Sequence, residues 1–90
     1  MEELTYCYIS FGSKNRTYCY LADDNYEIGD IVRVPTGDNN EPGIGQIKTI
    51  DRFSRENAPY PVEKTKHIIE ALSKEEIDKL PLGMKRGFEL

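Results

Sequence analysis

Residues 4–11, Leu-Thr-Tyr-Cys-Tyr-Ile-Ser-Phe, alternate in character and are rich in aromatic and β-branched types, which predicts a strand. Gly12-Ser13-Lys14-Asn15 follows as a turn, and residues 16–22, Arg-Thr-Tyr-Cys-Tyr-Leu-Ala, predict a second strand. A connection this short makes the pair an antiparallel hairpin. Because alternate strand residues share a face, Thr5, Cys7, Ile9 and Phe11 are grouped with Thr17, Cys19 and Leu21 as its core side. Tyr6, Tyr8, Tyr18 and Tyr20 then fall together on the other side.

Asp23-Asp24-Asn25 breaks the pattern, and Glu27-Ile28-Gly29-Asp30 is a tight turn in which Gly29 supplies a positive φ. A third strand runs from Asp30 to Pro35 with Ile31, Val32 and Val34 apolar, and it ends or lies at an edge at Pro35, which has no amide hydrogen. Thr36 to Pro42 reads as a loop, and Gly43-Ile44-Gly45-Gln46-Ile47-Lys48-Thr49-Ile50 as a fourth strand. Its two glycines suit a sharp bend or the close approach of another backbone. Residues 51–61, ending in Ala58-Pro59-Tyr60-Pro61, are irregular. Lys64-Thr65-Lys66-His67-Ile68-Ile69 is expected to close the sheet as a fifth strand. Ser73-Lys74-Glu75-Glu76 is a capping box that starts a short helix, burying Ile77 and Leu80 and stopped by Pro81. The remainder is expected to be a poorly ordered tail or a packed extended segment. The fold class expected is mainly β: a small curled antiparallel sheet or β-barrel of about five strands over residues 1–72, with a short C-terminal helix and tail at 73–90.

Composition narrows the functions this frame could carry. Ninety residues make one small domain with a thin core, which disfavours catalysis that needs a deep dry cleft. No apolar run approaches the ~20 residues that cross a bilayer, and Met1-Glu2-Glu3 is the reverse of a basic signal sequence, so a cytoplasmic location is expected. Cys7 and Cys19 are too few for a disulfide scaffold and lack metal-site spacing; they are expected to be free thiols. His67 has no nucleophile partner implied by spacing, and the Asp38-Asn39-Asn40-Glu41 run lacks the ligand spacing of a calcium loop. No enzyme, metal or cofactor is expected.

Two features remain. The four tyrosines could stack the bases of a single strand, or could only stabilise the sheet by cross-strand pairing. The charge is also segregated. Twelve basic against sixteen acidic residues give a net −4, which argues against indiscriminate nucleic-acid binding. Yet Asp23, Asp24, Glu27, Asp30, Asp38 and Glu41 face only Arg33 in residues 23–41, a local net of −5, whereas residues 48–66 carry a net of +2. The nucleic-acid reading therefore uses Tyr18, Tyr20, Lys48, Arg52, Lys64 and Lys66. A protein-interaction reading uses Asp23, Asp24 and Asp38 with Tyr6 and Tyr8.

Thr17-Tyr18-Cys19-Tyr20-Leu21, then Ile28-Gly29-Asp30-Ile31-Val32-Arg33-Val34-Pro35-Thr36-Gly37, then Gly43-Ile44-Gly45-Gln46-Ile47, then Val62-Glu63-Lys64-Thr65-Lys66-His67-Ile68-Ile69 form a recognisable series. It resembles the N-terminal DNA-binding domain of the primosomal replication-restart helicase PriA, over roughly residues 4–70. The resemblance implies a small β-barrel-like domain that binds the 3′ end of a DNA strand at a fork. The family's Phe-Asp pair, which holds the terminal nucleotide, aligns with Tyr18-Cys19: the aromatic is kept, and the carboxylate that accepts from the 3′ hydroxyl is replaced by a thiol. The family's helicase and zinc-binding regions have no counterpart in these ninety residues, so ATP hydrolysis is not carried over. A freestanding domain of this kind resembles one reused by a phage or mobile element as a DNA-binding or protein-interaction module.

Overall fold

The structure is a computed structural model that describes residues 3–12 and 16–89. Five antiparallel strands form one sheet: β1 (Glu3–Ser10), β2 (Tyr18–Ala22), β3 (Ile31–Thr36), β4 (Glu41–Ser54) and β5 (Glu70–Ala71), in the order β2-β1-β4-β3-β5. Two short helices follow, α1 (Lys74–Asp78) and α2 (Leu82–Lys85). The mainly β expectation is met, and the sheet curls without a continuous ladder around it. Its far edges are linked where Leu21 donates to the Lys66 carbonyl at 2.8 Å and accepts from the Ile68 amide at 2.9 Å.

The hairpin register differs from the expected one. Cys7 lies opposite Tyr20, Tyr8 opposite Cys19 and Ile9 opposite Tyr18, so odd positions on β1 face even positions on β2. Tyr18 and Tyr20 therefore share the inner face with Cys7 and Ile9, while Tyr6 and Tyr8 share the outer face with Cys19 and Leu21. The four tyrosines do not form one face. Part of the Gly12–Asn15 turn, Ser13, Lys14 and Asn15, lies outside the described residues.

The fourth strand is longer than expected, because pairing with β1 continues as far as Glu3 opposite Ser54. Midway, Tyr8 faces Thr49 and Ile9 faces Ile47, leaving Lys48 as the extra residue of a bulge. The bulge reverses the alternation, which lets Ile47 and Ile50, three apart, both meet the inner core. Close approach is the observed role of Gly43 and Gly45. A Cβ on Gly45 would stand 2.4 Å from Ile9 Cγ2, and one on Gly43 2.7 Å from Thr36 Cγ2. Pro35 pairs with Pro42 inside β3, beyond the reach of β5, so its missing amide leaves no partner wanting.

The inner core gathers Cys7, Ile9, Tyr20, Val32, Val34, Ile47 and Ile68. Ile31, Leu72 and Phe88 make a second cluster on the other side of β3, with Ile44, Ile77 and Leu80 packed half-buried against it. The capping box forms as expected: Ser73 Oγ accepts from the Glu76 amide and Glu76 reaches back to the Ser73 amide, each at 3.2 Å. Helix α1 ends before Pro81, which begins α2 instead of a tail, and Phe88 is buried.

The closing strand is the clearest departure. Val62–Lys64 is a 3-10 turn, and strand pairing is confined to Glu70 and Ala71 against Arg33 and Val32. Residues 66–69 are divided between two neighbours: Lys66 and Ile68 bond to β2, whereas the Ile69 amide donates to the Arg33 carbonyl at 2.9 Å. A segment that bridges two strands cannot form a regular ladder with either one.

Candidate nucleic-acid interface

Tyr18 stands at the end of the inner face, where the curled sheet opens. Its ring packs on Phe11 with centroids 5.5 Å apart, and it remains 45% exposed. Tyr20, two residues on, is buried and its hydroxyl donates to the Pro35 carbonyl at 2.8 Å. One tyrosine is thus locked into the fold and the other presents an aromatic face to solvent.

Two open grooves meet at these rings. The first, of about 480 Å³, runs between β2 and residues 60–66 and is lined by Tyr18, Tyr20, Tyr60, Lys64 and Lys66 among others. It exists because, among the described residues, the backbone of β2 is bonded to the opposite segment at Leu21 alone, leaving the stretch before that residue apart. The second, of about 460 Å³, lies at the mouth of the sheet and is lined by Phe11, Arg16, Tyr18, Tyr20, Thr36 and Gly37. Among the described residues, the two grooves together carry three cations and no acid. Lys66 Nζ donates to the Gly37 carbonyl, which ties the groove wall to the β3–β4 turn.

Of the six residues expected to contact nucleic acid, Tyr18, Tyr20, Lys64 and Lys66 come together here. Lys48 and Arg52 do not. The bulge sends Lys48 toward the C-terminal segment, where Nζ donates to Gln46 Oε1 at 3.2 Å and stands 3.6 Å from Glu89 Oε1. Arg52 is exposed on β4 opposite Thr5 and lines neither groove. Phe11, Arg16 and Tyr60 were not singled out from the sequence. Their signal was position: Phe11 and Arg16 flank the hairpin turn beside Tyr18, and Tyr60 is held between two prolines.

The alternative set is dispersed. Tyr6 is fully buried, its ring edge-on to Phe53 at 5.9 Å and its hydroxyl donating to the Tyr60 carbonyl at 3.1 Å, so it offers no contact surface. Tyr8 is half-buried. Asp23 pairs with His67 Nδ1 at 2.9 Å, Asp24 accepts from the Asn25 amide at 2.7 Å, and Asp38 is exposed in the β3–β4 turn.

Both cysteines are free, and burial pushes each thiol up to about 11, with Asp30 adding to the effect at Cys7 and Cys7 itself at Cys19. Cys19 lines the first groove as a neutral thiol at physiological pH. It supplies no anion there. Since Cys7 and Cys19 point to opposite faces of the hairpin, they cannot join as a disulfide without refolding it. No helix among the described residues is long and apolar enough to cross a membrane. Comparisons with protein-family models, with curated proteins and with solved structures give no match for this chain.

Proposed function

We propose that this protein is a non-enzymatic module that binds single-stranded nucleic acid in the paired grooves around Tyr18. The observation that carries the reading is local charge and ring content: three cations and exposed aromatic surface, free of acid, on a chain whose net charge is −4. A phosphate backbone would track Arg16, Lys64 and Lys66, and a base would lie on Tyr18. Aromatic stacking is worth about 1–3 kcal/mol per base and is indifferent to sequence. The resemblance of the strand series in residues 4–70 to the PriA domain, read from the sequence, supports the same reading. The neutral Cys19 thiol favours a strand over a free 3′ end, because a terminal hydroxyl finds no carboxylate there.

The test is fluorescence anisotropy with labelled single-stranded DNA and RNA oligomers, in low and moderate salt, with free and phosphorylated 3′ ends. Binding is expected to weaken as salt rises, with a log–log slope of roughly −2 for three phosphate contacts. Tyr18→Ala should weaken it about tenfold or more, and Tyr18→Phe should preserve it. Lys64→Ala with Lys66→Ala should cut the slope by about 1.4. A protein that binds no oligomer even at low salt would exclude the proposal, and capture of double-stranded DNA as tightly as single would exclude its strand selectivity.

A further inference from the structure

The C-terminal segment makes contacts that the grooves do not explain. Gln46 is 1% exposed in the middle of β4, and its side-chain amide treats Glu89 as another strand would. Nε2 donates to the Glu89 carbonyl at 2.7 Å and Oε1 accepts from the Glu89 amide at 2.8 Å. The remaining capacity is used as well, since Nε2 also donates to the Gly29 carbonyl at 3.1 Å. Beside this clamp, Phe88 is buried against Ile31 and Leu72. Gly87 meets Gly12 backbone to backbone: a Cβ on Gly87 would lie 2.9 Å from Gly12 Cα, too close for any real side chain.

Gly12 is where β1 leaves the sheet, with a φ of 95° and its amide donating to Ser10 Oγ at 3.2 Å. The residue before it is Phe11, which lies over the glycine floor of β4, its Cδ1 3.2 Å from where a Gly45 Cβ would be. Phe11 is also the ring on which Tyr18 packs. An unbroken series of contacts therefore runs from Gly87 to Gly12, along the chain to Phe11, and across to Tyr18.

We infer that the C-terminal latch at residues 87–89 positions the nucleic-acid groove, fixing Gly12 and Phe11 and through them the ring of Tyr18. The Phe11 ring rests half-buried on the side-chain-free floor of Gly43 and Gly45 and against the inner core, so the floor sets its depth but offers no side chain to fix its direction. Its direction is set by the backbone of the next residue, Gly12, which is held against Gly87. The affinity arm of the inference rests on the single-strand reading of the groove; the structural arm does not.

The test uses the full chain with Gly87→Val, which forces the two backbones apart, and measures amide hydrogen exchange and binding of a labelled oligothymidylate. Exchange is expected to rise together at residues 87–89 and at Phe11, Gly12, Thr17 and Tyr18, while Val32, Val34 and Ile47 keep their protection. Affinity should fall about three- to tenfold. Phe88→Ala pulls the latch from its other side, and decides the matter if Val at position 87 leaves the latch seated. A double-mutant cycle of Gly87→Val with Phe11→Ala should be non-additive in affinity, since both act on Tyr18 by one route. An open latch with unchanged exchange at residues 11–18, or an additive cycle, overturns the inference. If no oligomer binds the parent protein, the proposed function fails, and the exchange result alone decides whether the latch positions Phe11.

Discussion

The two outer edges of the sheet are finished differently. Along β3 the edge is covered: Ile31 and Arg33 carbonyls accept from Leu72 and Ile69, β5 adds two paired residues, and Arg33 reaches both Glu70 and Glu76. Leu72, Ile77, Leu80 and Phe88 then seal the far face of β3. Along β2 the edge is bonded, among the described residues, at Leu21 alone, and the rest faces a groove lined by lysines and rings. The difference follows from which side chains the returning chain brings. Where it is apolar it makes a second core; where it reads Tyr60-Pro61 to Lys66 it cannot, because prolines and lysines do not pack into one. An open strand edge invites pairing with other chains, and flanking cations discourage that. Lys64, Lys66 and Arg16 thus protect an edge and, on the reading proposed above, recognise a polyanion with the same charge.

The sharpest break in that comparison is between Phe88 and Tyr18. Phe88→Ala should lower stability by about 3 kcal/mol, as for other buried phenylalanines, read as a fall in the urea midpoint. Tyr18→Ala, which removes a half-exposed ring, should cost less than about 1 kcal/mol while abolishing most binding. Equal losses of stability would mean that the groove edge is as much a part of the core as the sealed side. A second contrast is chemical. Burial raises both thiols to about 11 in the folded protein, against an ordinary value near 9.0 in the unfolded chain. Between those values the unfolded state has released protons that the folded state still holds, so stability falls as pH rises. Through the thiols the denaturation midpoint should therefore decline from about pH 9 toward pH 11, and Cys7→Ala with Cys19→Ala should lessen that decline, the remainder coming from tyrosines such as Tyr20 whose hydroxyl burial also pushes up.

What could be read from the sequence was what neighbouring residues decide. The Ser73–Glu76 capping box and the positive φ of Gly29 depend on a few adjacent positions, and both are present. The hairpin register was not legible, because both of its faces carry aromatic and apolar residues. A one-residue slip exchanges Cys19 for Tyr20 on the inner face without leaving a visibly polar core. The bulge at Lys48 hid a second parity change, and with it the reason that Lys48 leaves the candidate site. Gln46 and Glu89 meet across 43 residues, a pairing that no local periodicity encodes. Four of the six residues expected to contact nucleic acid do line one groove, because the return of the chain toward β2 brings Lys64 and Lys66 to Tyr18 and Tyr20.

Within the groove the comparison narrows to two tyrosines. Tyr20→Phe removes the hydroxyl that satisfies the Pro35 carbonyl and should cost about 1 kcal/mol, whereas Tyr18→Phe, which removes a hydroxyl with no protein partner among the described residues, should leave stability unchanged. The smallest effect is expected where the open edge is tied. His67 Nδ1 stands 2.9 and 3.0 Å from the two Asp23 oxygens, next to the Leu21 backbone bonds that link β2 to the returning chain. Both side chains are more than half exposed, so solvent screens the pair, and Asp23→Asn should cost only a few tenths of a kcal/mol globally. Its consequence should be local. The Leu21 and Ile68 amides should exchange faster in the variant. If the Leu21 bonds hold the seam by themselves, neither amide will respond, and the width of the groove is then set by the backbone alone.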